Sequence, residues 1–193
     1  MGRLDTPNAV IDLLERASRL LQSAFFAEGG MPPAQWQTLR YLARANRFSR
    51  TPTAIGLYLG ATKGTVSQTI LALVRKGLVR KDRSQPDGRS VFLRLTPRGE
   101  ALLDSDPLRD VASALGTLPM QRRLELGEGL AGLIEAMLSK KGGRPFGQCA
   151  SCRFFQKNGA RSDADGPHRC GLLGVALNND DSAKICVEHE RAA

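Results

Sequence analysis

The sequence predicts a mainly α-helical chain organised around a winged helix-turn-helix. Long helices flank that unit, and a small loop-rich tail, tied by cysteines to a metal or cluster, follows it. Three observations predict this. Residues 51–76 hold two capped helical patterns separated by a glycine turn. Residues 78–95 hold two strand-like runs joined through an Asp-Gly turn. All four cysteines of the 193 residues lie beyond residue 148.

The first helix is expected over 6–28. Thr6 is its cap and Pro7 its first residue, and Val10, Leu13, Leu14, Ala17, Leu20, Leu21 and Ala24 recur at helical spacing before Gly29-Gly30. Its apolar face is wide enough to serve either as core or as a contact with a second chain. Pro32-Pro33 opens the next helix, with Leu39, Leu42 and Ala43 inward and Trp36 as a core anchor rather than a ligand platform. Thr51-Pro52 starts a short helix carrying Ile55 and Leu59, which Gly60 ends. The following helix runs from about Thr62 to Lys76. Val66, Ile70, Leu73 and Val74 form its buried stripe, and Gly77 stops it.

Leu78–Lys81 and Val91–Leu95 read as the strands of a ribbon, because Val91, Leu93 and Leu95 alternate with Phe92 and Arg94. Asp87-Gly88 is the turn dipeptide between them. Thr96-Pro97-Arg98-Gly99 then caps a helix over Glu100–Leu103, which Asp106-Pro107 restarts through Val111, Leu115 and Leu118. Pro119 opens a last long helix, Met120–Lys140. Gly127, Gly129 and Gly132 lower its intrinsic helicity, so packing must hold it.

The net charge is +9, of which residues 1–141 carry +8 and residues 142–193 only +1. An acidic partner therefore belongs to the first part. Thr62, Lys63, Thr65, Ser67 and Gln68 sit off the apolar stripe near the start of their helix, polar and mostly short, as suits a helix entering a major groove. Gly64 among them would let a DNA backbone come close. Arg83 and Arg89 flank the ribbon tip and suit phosphates or a narrow minor groove. From Arg75 to Arg98 only Asp82 and Asp87 oppose eight basic residues. No apolar run is long enough for a membrane and the N-terminus has no signal-peptide core, so no membrane partner and a cytoplasmic location are expected. No Ser/His/Asp set, phosphate loop or paired catalytic carboxylates occur, so no enzyme is expected.

The words TKGTVSQTILALVRKGLV and PDGRSVFLRLTPRGEALL resemble the MarR family of multiple antibiotic resistance regulators, over roughly residues 5–140. The resemblance implies that Arg89 reaches DNA while Asp87, the other member of the wing's Asp-x-Arg pair, braces the wing. It implies an obligate homodimer on a near-palindromic operator, with first and last helices intertwined. An effector pocket between dimer and DNA-binding parts is implied as well, although no residue here defines its ligand.

Lys140 to Pro145 reads as a linker, dividing a regulator domain over 1–141 from a tail over 142–193. In the tail, Cys149, Cys152, Cys170 and Cys186 follow the spacing C-x2-C-x17-C-x15-C. A segment this small cannot fold on an apolar core alone, and cytoplasmic thiols are usually reduced. A metal or cluster is expected ahead of disulfides. One C-x2-C pair followed by two lone cysteines fits an iron–sulfur cluster better than a zinc ribbon, [4Fe-4S] ahead of [2Fe-2S], with zinc as the alternative. Phe154, Phe155, Leu172, Leu173, Ile185 and Val187 are available to wrap it. QCASCRFFQ, CGLLG and the last cysteine are similar to the ligand order of high-potential iron–sulfur proteins. His168 and His189 could replace or tune a thiolate, but lone surface histidines are the plainer expectation. Glu188 and Glu190 read as solvated, and NGARSDADG and NNDD as exposed loops.

The sequence thus points to a dimeric DNA-binding regulator whose cluster senses redox state, iron or nitric oxide. A structural zinc tail, or a redox protein that uses its winged helix for protein contacts, are the alternatives.

Overall fold

Four threonines set where the main helices begin. Thr6, Thr51, Thr62 and Thr96 each accept a backbone N–H three residues on, at 3.3, 3.2, 3.3 and 3.1 Å. The computed structural model describes residues 5–27, 31–83, 91–140, 142–143, 145–160 and 165–192. Within these, α1 spans Pro7–Ala27, α2 Pro33–Arg44, α3 Pro52–Leu59 and α4 Lys63–Arg75. Strands β1 (Val79–Arg83) and β2 (Val91–Leu95) follow, then α5 (Pro97–Leu102), α6 (Arg109–Gly116) and α7 (Met120–Lys140). The first ribbon strand therefore begins at Val79 and runs to Arg83, later than the sequence pattern placed it.

The core lies where α2, α3, α4 and the ribbon meet. Trp36, Leu39, Tyr41, Leu42, Ile55, Val66, Ile70, Leu73 and Leu93 are buried there. Trp36 is a core anchor, as expected. Val74 is only partly buried, and Thr69 joins the stripe of α4. Gly77 adopts φ +67°. Its N–H bonds Val74 O at 2.9 Å and that of Leu78 bonds Leu73 O at 3.0 Å, the paired closure that ends a helix in the left-handed region. The chain then enters β1 directly, pairing antiparallel with β2 from Val79↔Leu95 to Arg83↔Val91. Arg40 reaches Asp106 with both carboxylate oxygens at 2.9 and 3.0 Å, tying α2 to the turn before α6.

Helices α1 and α7 behave differently. Val10, Ile11, Leu13 and Leu20 of α1 are exposed, and α7 buries no residue within its own chain.

The tail is more regular than a set of loops. Strands β3 (Phe155–Gln156), β4 (His168–Cys170) and β5 (Val175–Leu177) form one antiparallel sheet in that order, and α8 covers Asn179–Ser182. NNDD is thus no exposed loop: Asn178 caps α8 by accepting Asp181 N–H at 2.7 Å, and Asp181 is buried. Part of NGARSDADG lies outside the described residues. His168 is no surface histidine either. It is buried against the Phe155 ring, its Nδ1 accepts Asn158 N–H at 3.1 Å, and its Nε2 meets Asn179 Oδ1 at 2.9 Å. With Nδ1 accepting, the proton sits on Nε2 and both nitrogens are committed.

The tail is seated on the loop between α2 and α3. Ala45 and Ile185 form a parallel bridge, and Arg47 pairs with buried Asp181 at 3.1 Å. Ser49 Oγ accepts the Val187 N–H at 2.9 Å. Ile185, Val187 and Phe146 pack against the winged-helix core.

Two outcomes test this packing. A Cβ on Gly99 would collide with the Leu78 carbonyl. Gly99→Ala is therefore expected to cost ~2 kcal/mol and lower Tm by roughly 4–8 °C in thermal unfolding. His168→Ala removes two part-buried hydrogen bonds, to Asn158 N–H and Asn179 Oδ1, and should cost about 1–3 kcal/mol in urea unfolding. It should leave the metal content per chain unchanged, whereas a ligand histidine would lower it.

Candidate nucleic-acid interface and cysteine site

α4 is positioned by burying Val66, Thr69, Ile70 and Leu73. The same packing turns Thr62, Lys63, Gly64, Thr65, Ser67 and Gln68 to solvent, and all six are exposed. Thr62 and Thr65 also meet through their hydroxyls at 3.0 Å, which holds the first turn. The N-terminal half of α4 is a convex, polar, cationic ridge with little side-chain bulk, and the helix dipole adds positive potential at that end.

The ribbon stands beside it. Its tip, with Asp87, Gly88 and Arg89, lies outside the described residues, as does the Arg83 side chain, although Arg83 is placed as the last residue of β1. The described base of the ribbon shows a brace that the sequence reading passed over. Asp82 binds Arg94 Nε at 2.7 Å and approaches Arg80 at 3.6 Å. Asp82 and Arg94 lie on facing strands, so the contact resists shear between them. The signal was present in the sequence as a lone acid among bases. Its partner followed only from register.

Backbone pairing brings the four cysteines together. Cys149 opens a 3-10 turn through Ser151, and Cys152 N–H bonds back to Cys149 O at 2.9 Å. Cys152 bridges Arg191, and Cys186 bridges Gly147 just before the knuckle. Cys170 lies opposite Phe155 across β3 and β4. Burial pushes the Cys149 thiol up to about 12, and the charges of Cys186, Cys152, Cys170 and then Asp181 push the same way. The other three thiols thus lie within electrostatic reach of Cys149. Without a counter-cation, Cys149 would stay protonated near neutral pH. Among the described residues, no three His, Cys, Asp or Glu groups close tightly enough to hold a single metal ion.

The walls of this site differ from the expected ones. Leu172 and Leu173 are exposed, so they do not wrap it. Phe154 lies under the Arg153 guanidinium at 4.7 Å, and Phe155 packs on His168. The apolar wall comes from the winged helix instead. Burial, then Cys186, then Tyr58 raise the Tyr41 phenol above its usual range, so the Tyr41 hydroxyl lies within electrostatic reach of the last cysteine. Tyr41, Tyr58 and Phe146 form an aromatic cluster with centroids 4.8 to 6.2 Å apart. Nothing in a linear reading linked residues 41 and 58 to the tail.

His189 is buried, contrary to expectation. Its Nε2 meets Ser151 Oγ at 3.0 Å, and its ring lies against Gly147. Its Nδ1 is buried with no partner among the described residues. Glu190 is not simply solvated, since it pairs with Arg153 at 2.9 Å. Glu188 also engages a partner. No described helix is long and apolar enough to cross a membrane.

Comparisons follow from this geometry. Residues 29–90 match the model of the MarR family. A search of curated proteins finds no match. Among solved structures, the chain is similar to a probable transcriptional regulator from Pseudomonas aeruginosa, at 25% identity and TM-score 0.53, over 68% of this chain and 99% of that one. It is similar to FabT of Streptococcus pneumoniae in complex with DNA, at 21% identity and TM-score 0.55, over 68% and 97%. BldR of Sulfolobus solfataricus, a transcriptional regulator, aligns at 20% identity and TM-score 0.55, over 70% and 99%. These neighbours are matched nearly end to end, and about a third of this chain has no counterpart in them. The winged helix described here is a MarR-like one.

Proposed function

We propose that this chain is a MarR-type, DNA-binding transcription regulator that works as a homodimer and carries an iron–sulfur cluster on Cys149, Cys152, Cys170 and Cys186. The observation that carries the DNA reading is the capped, exposed, cationic first half of α4 beside a braced ribbon. In this reading Lys63, Thr65, Ser67 and Gln68 meet base edges and phosphates, with Thr62 fixing the first turn. Arg83 and Arg89 hold the flanking backbone or minor groove, and Asp87 steadies the wing tip. FabT and MepR of Staphylococcus aureus have been solved with DNA, which supports the assignment.

The homodimer follows from unburied apolar surface. Leu13 and Leu20 on α1 and Leu124, Ile134 and Met137 on α7 are exposed in the single chain. Large apolar side chains left exposed along two long helices mark an interaction face. A second copy covers it and sets two recognition helices on two halves of a near-palindromic operator.

The cluster reading rests on four free thiols, two of them buried, with the other three gathered within electrostatic reach of Cys149. The residues fit such a group. Four cysteines supply its ligands, aromatic residues from α2 and α3 stand behind Cys186, and an unpaired buried His189 nitrogen lies beside the knuckle. Bound there, a [4Fe-4S] cluster supplies a redox couple and reactivity toward oxidants or nitric oxide. The chain's own part is to hold four thiolates, exclude water from Cys149 and Cys186, and pass the tail's state to the DNA-binding part.

Two experiments decide the two halves. In gel-shift titrations, Arg89→Ala and Lys63→Ala should each weaken binding by about 1–3 kcal/mol without lowering Tm. Gly64→Ala should weaken DNA binding while leaving the fold intact, because a methyl there meets only the Thr62 hydroxyl at 3.9 Å, an ordinary van der Waals contact. Unchanged affinity in all three would favour a winged helix used for protein contacts. Protein purified without oxygen should be brown, absorb at roughly 400 nm, and contain about four iron and four sulfide per chain. One zinc and no sulfide would make the tail a fixed brace.

A further inference from the structure

The loop between α2 and α3 is bonded to two different parts of the molecule. On one side stands the tail. Ile185 N–H bonds Arg44 O at 2.8 Å, and Asn46 N–H bonds Ile185 O at 2.9 Å. Val187 N–H bonds Ser49 Oγ at 2.9 Å. Asp181 accepts the Arg47 N–H through Oδ1 at 3.1 Å and faces the Arg47 guanidinium through Oδ2 at 3.1 Å. That guanidinium also donates to Ala176 O at 2.7 Å. On the other side stands the DNA-binding part. Leu93 N–H of β2 bonds Arg50 O at 2.8 Å, and Thr51 caps α3.

Asn46 and Ser49 lie between the two sides and are fully buried, at 1% and 0% exposure. Ser49 O accepts the Tyr41 hydroxyl at 2.8 Å, and Ser49 N–H bonds Asn46 Oδ1 at 3.0 Å. With Asn46 and Ser49 buried and these groups paired, a shift of the tail cannot leave the loop in place without orphaning buried polar atoms. Cys186 sits between the two residues that bind the loop, and Asp181 lies within electrostatic reach of Cys149. The site and the loop are thus joined through three consecutive residues, 185 to 187.

We propose that Arg47 and Ser49, gripped by Asp181 and by Ile185 to Val187, form a lever within one subunit through which the state of the four-cysteine site sets α3 and the wing. The affinity of the α4 face for DNA follows from that setting. This inference rests on the cluster reading above, and it places the route of control inside each subunit rather than in the spacing of the two recognition helices.

The test uses the full chain, purified without oxygen, with and without removal of its iron. The probe is a duplex selected from random DNA by the wild-type protein. Wild type should differ in Kd between the two states by about tenfold or more. Ser49→Ala removes one hydroxyl, and Arg47→Gln removes one partly exposed cation. Both should keep wild-type iron and sulfide while the Kd ratio falls to within about twofold. Hydrogen exchange on wild type gives a readout that needs no variant. Peptides covering residues 44–51 and 91–95 should lose protection when iron is removed. A wild-type Kd ratio retained in both variants, or unchanged protection at 44–51, overturns the lever and leaves the cluster reading standing. Wild-type protein without iron and sulfide overturns both, and metal analysis alone identifies that outcome.

Discussion

The constraint on which the rest of the structure depends is the burial of residues 45–49. A loop normally runs over the surface, where water satisfies its backbone. This one is roofed by the tail, and Ala45, Asn46 and Ser49 are buried. Its N–H and C=O groups therefore need protein partners, and they find them in Ile185, Asp181, Leu93 and Tyr41. Each partner belongs to a different element. The loop is the point at which the core helix, the wing and the tail must agree on one geometry. Removing the Arg47 guanidinium would leave the buried Asp181 carboxylate held by the Arg47 backbone N–H alone.

The same logic accounts for the division of labour among aromatic residues. The tail has little apolar mass of its own, and its two leucines after Cys170 face solvent. The winged helix supplies what is missing. Tyr41 bonds Ser49 with its hydroxyl, which also lies within electrostatic reach of Cys186, and Phe146 meets Tyr41 and Tyr58 edge-on. One side chain thus serves a loop, a core and a thiol pocket together.

What the sequence made legible was whatever rests on local chemistry. Thr51, Thr62 and Thr96 are read correctly as caps because a cap is settled within three residues. Gly77 is read correctly as a stop because only a positive φ permits that closure. The stripe of α4 was right in Val66, Ile70, Leu73 and Val74, all of which pack in or against the core, and the structure adds Thr69 to it. What was not legible depends on pairings between distant residues. Arg47 and Asp181 are 134 positions apart, and nothing around either distinguishes a buried pair from two solvated charges. The two histidines misled for the same reason: each stands in polar sequence, and only β3, β5 and the knuckle bury them. The position of the four cysteines relative to the winged helix was equally hidden, since a linker rich in glycine suggests separation while Phe146 packs against the winged-helix core.

Helix α7 holds a further consequence. It is 21 residues long, has three glycines in its middle, and buries none of its side chains in its own chain. A helix of that composition gains little from intrinsic propensity, and isolated helices are marginal in water. Its order must be lent by whatever packs on it. If that is a second copy, the fold of the C-terminal half becomes a function of protein concentration, and unfolding temperatures will rise with it. Scarcity would then act on this regulator before any signal does, because dilute chains would lose the very helices that hold two DNA-reading faces in register.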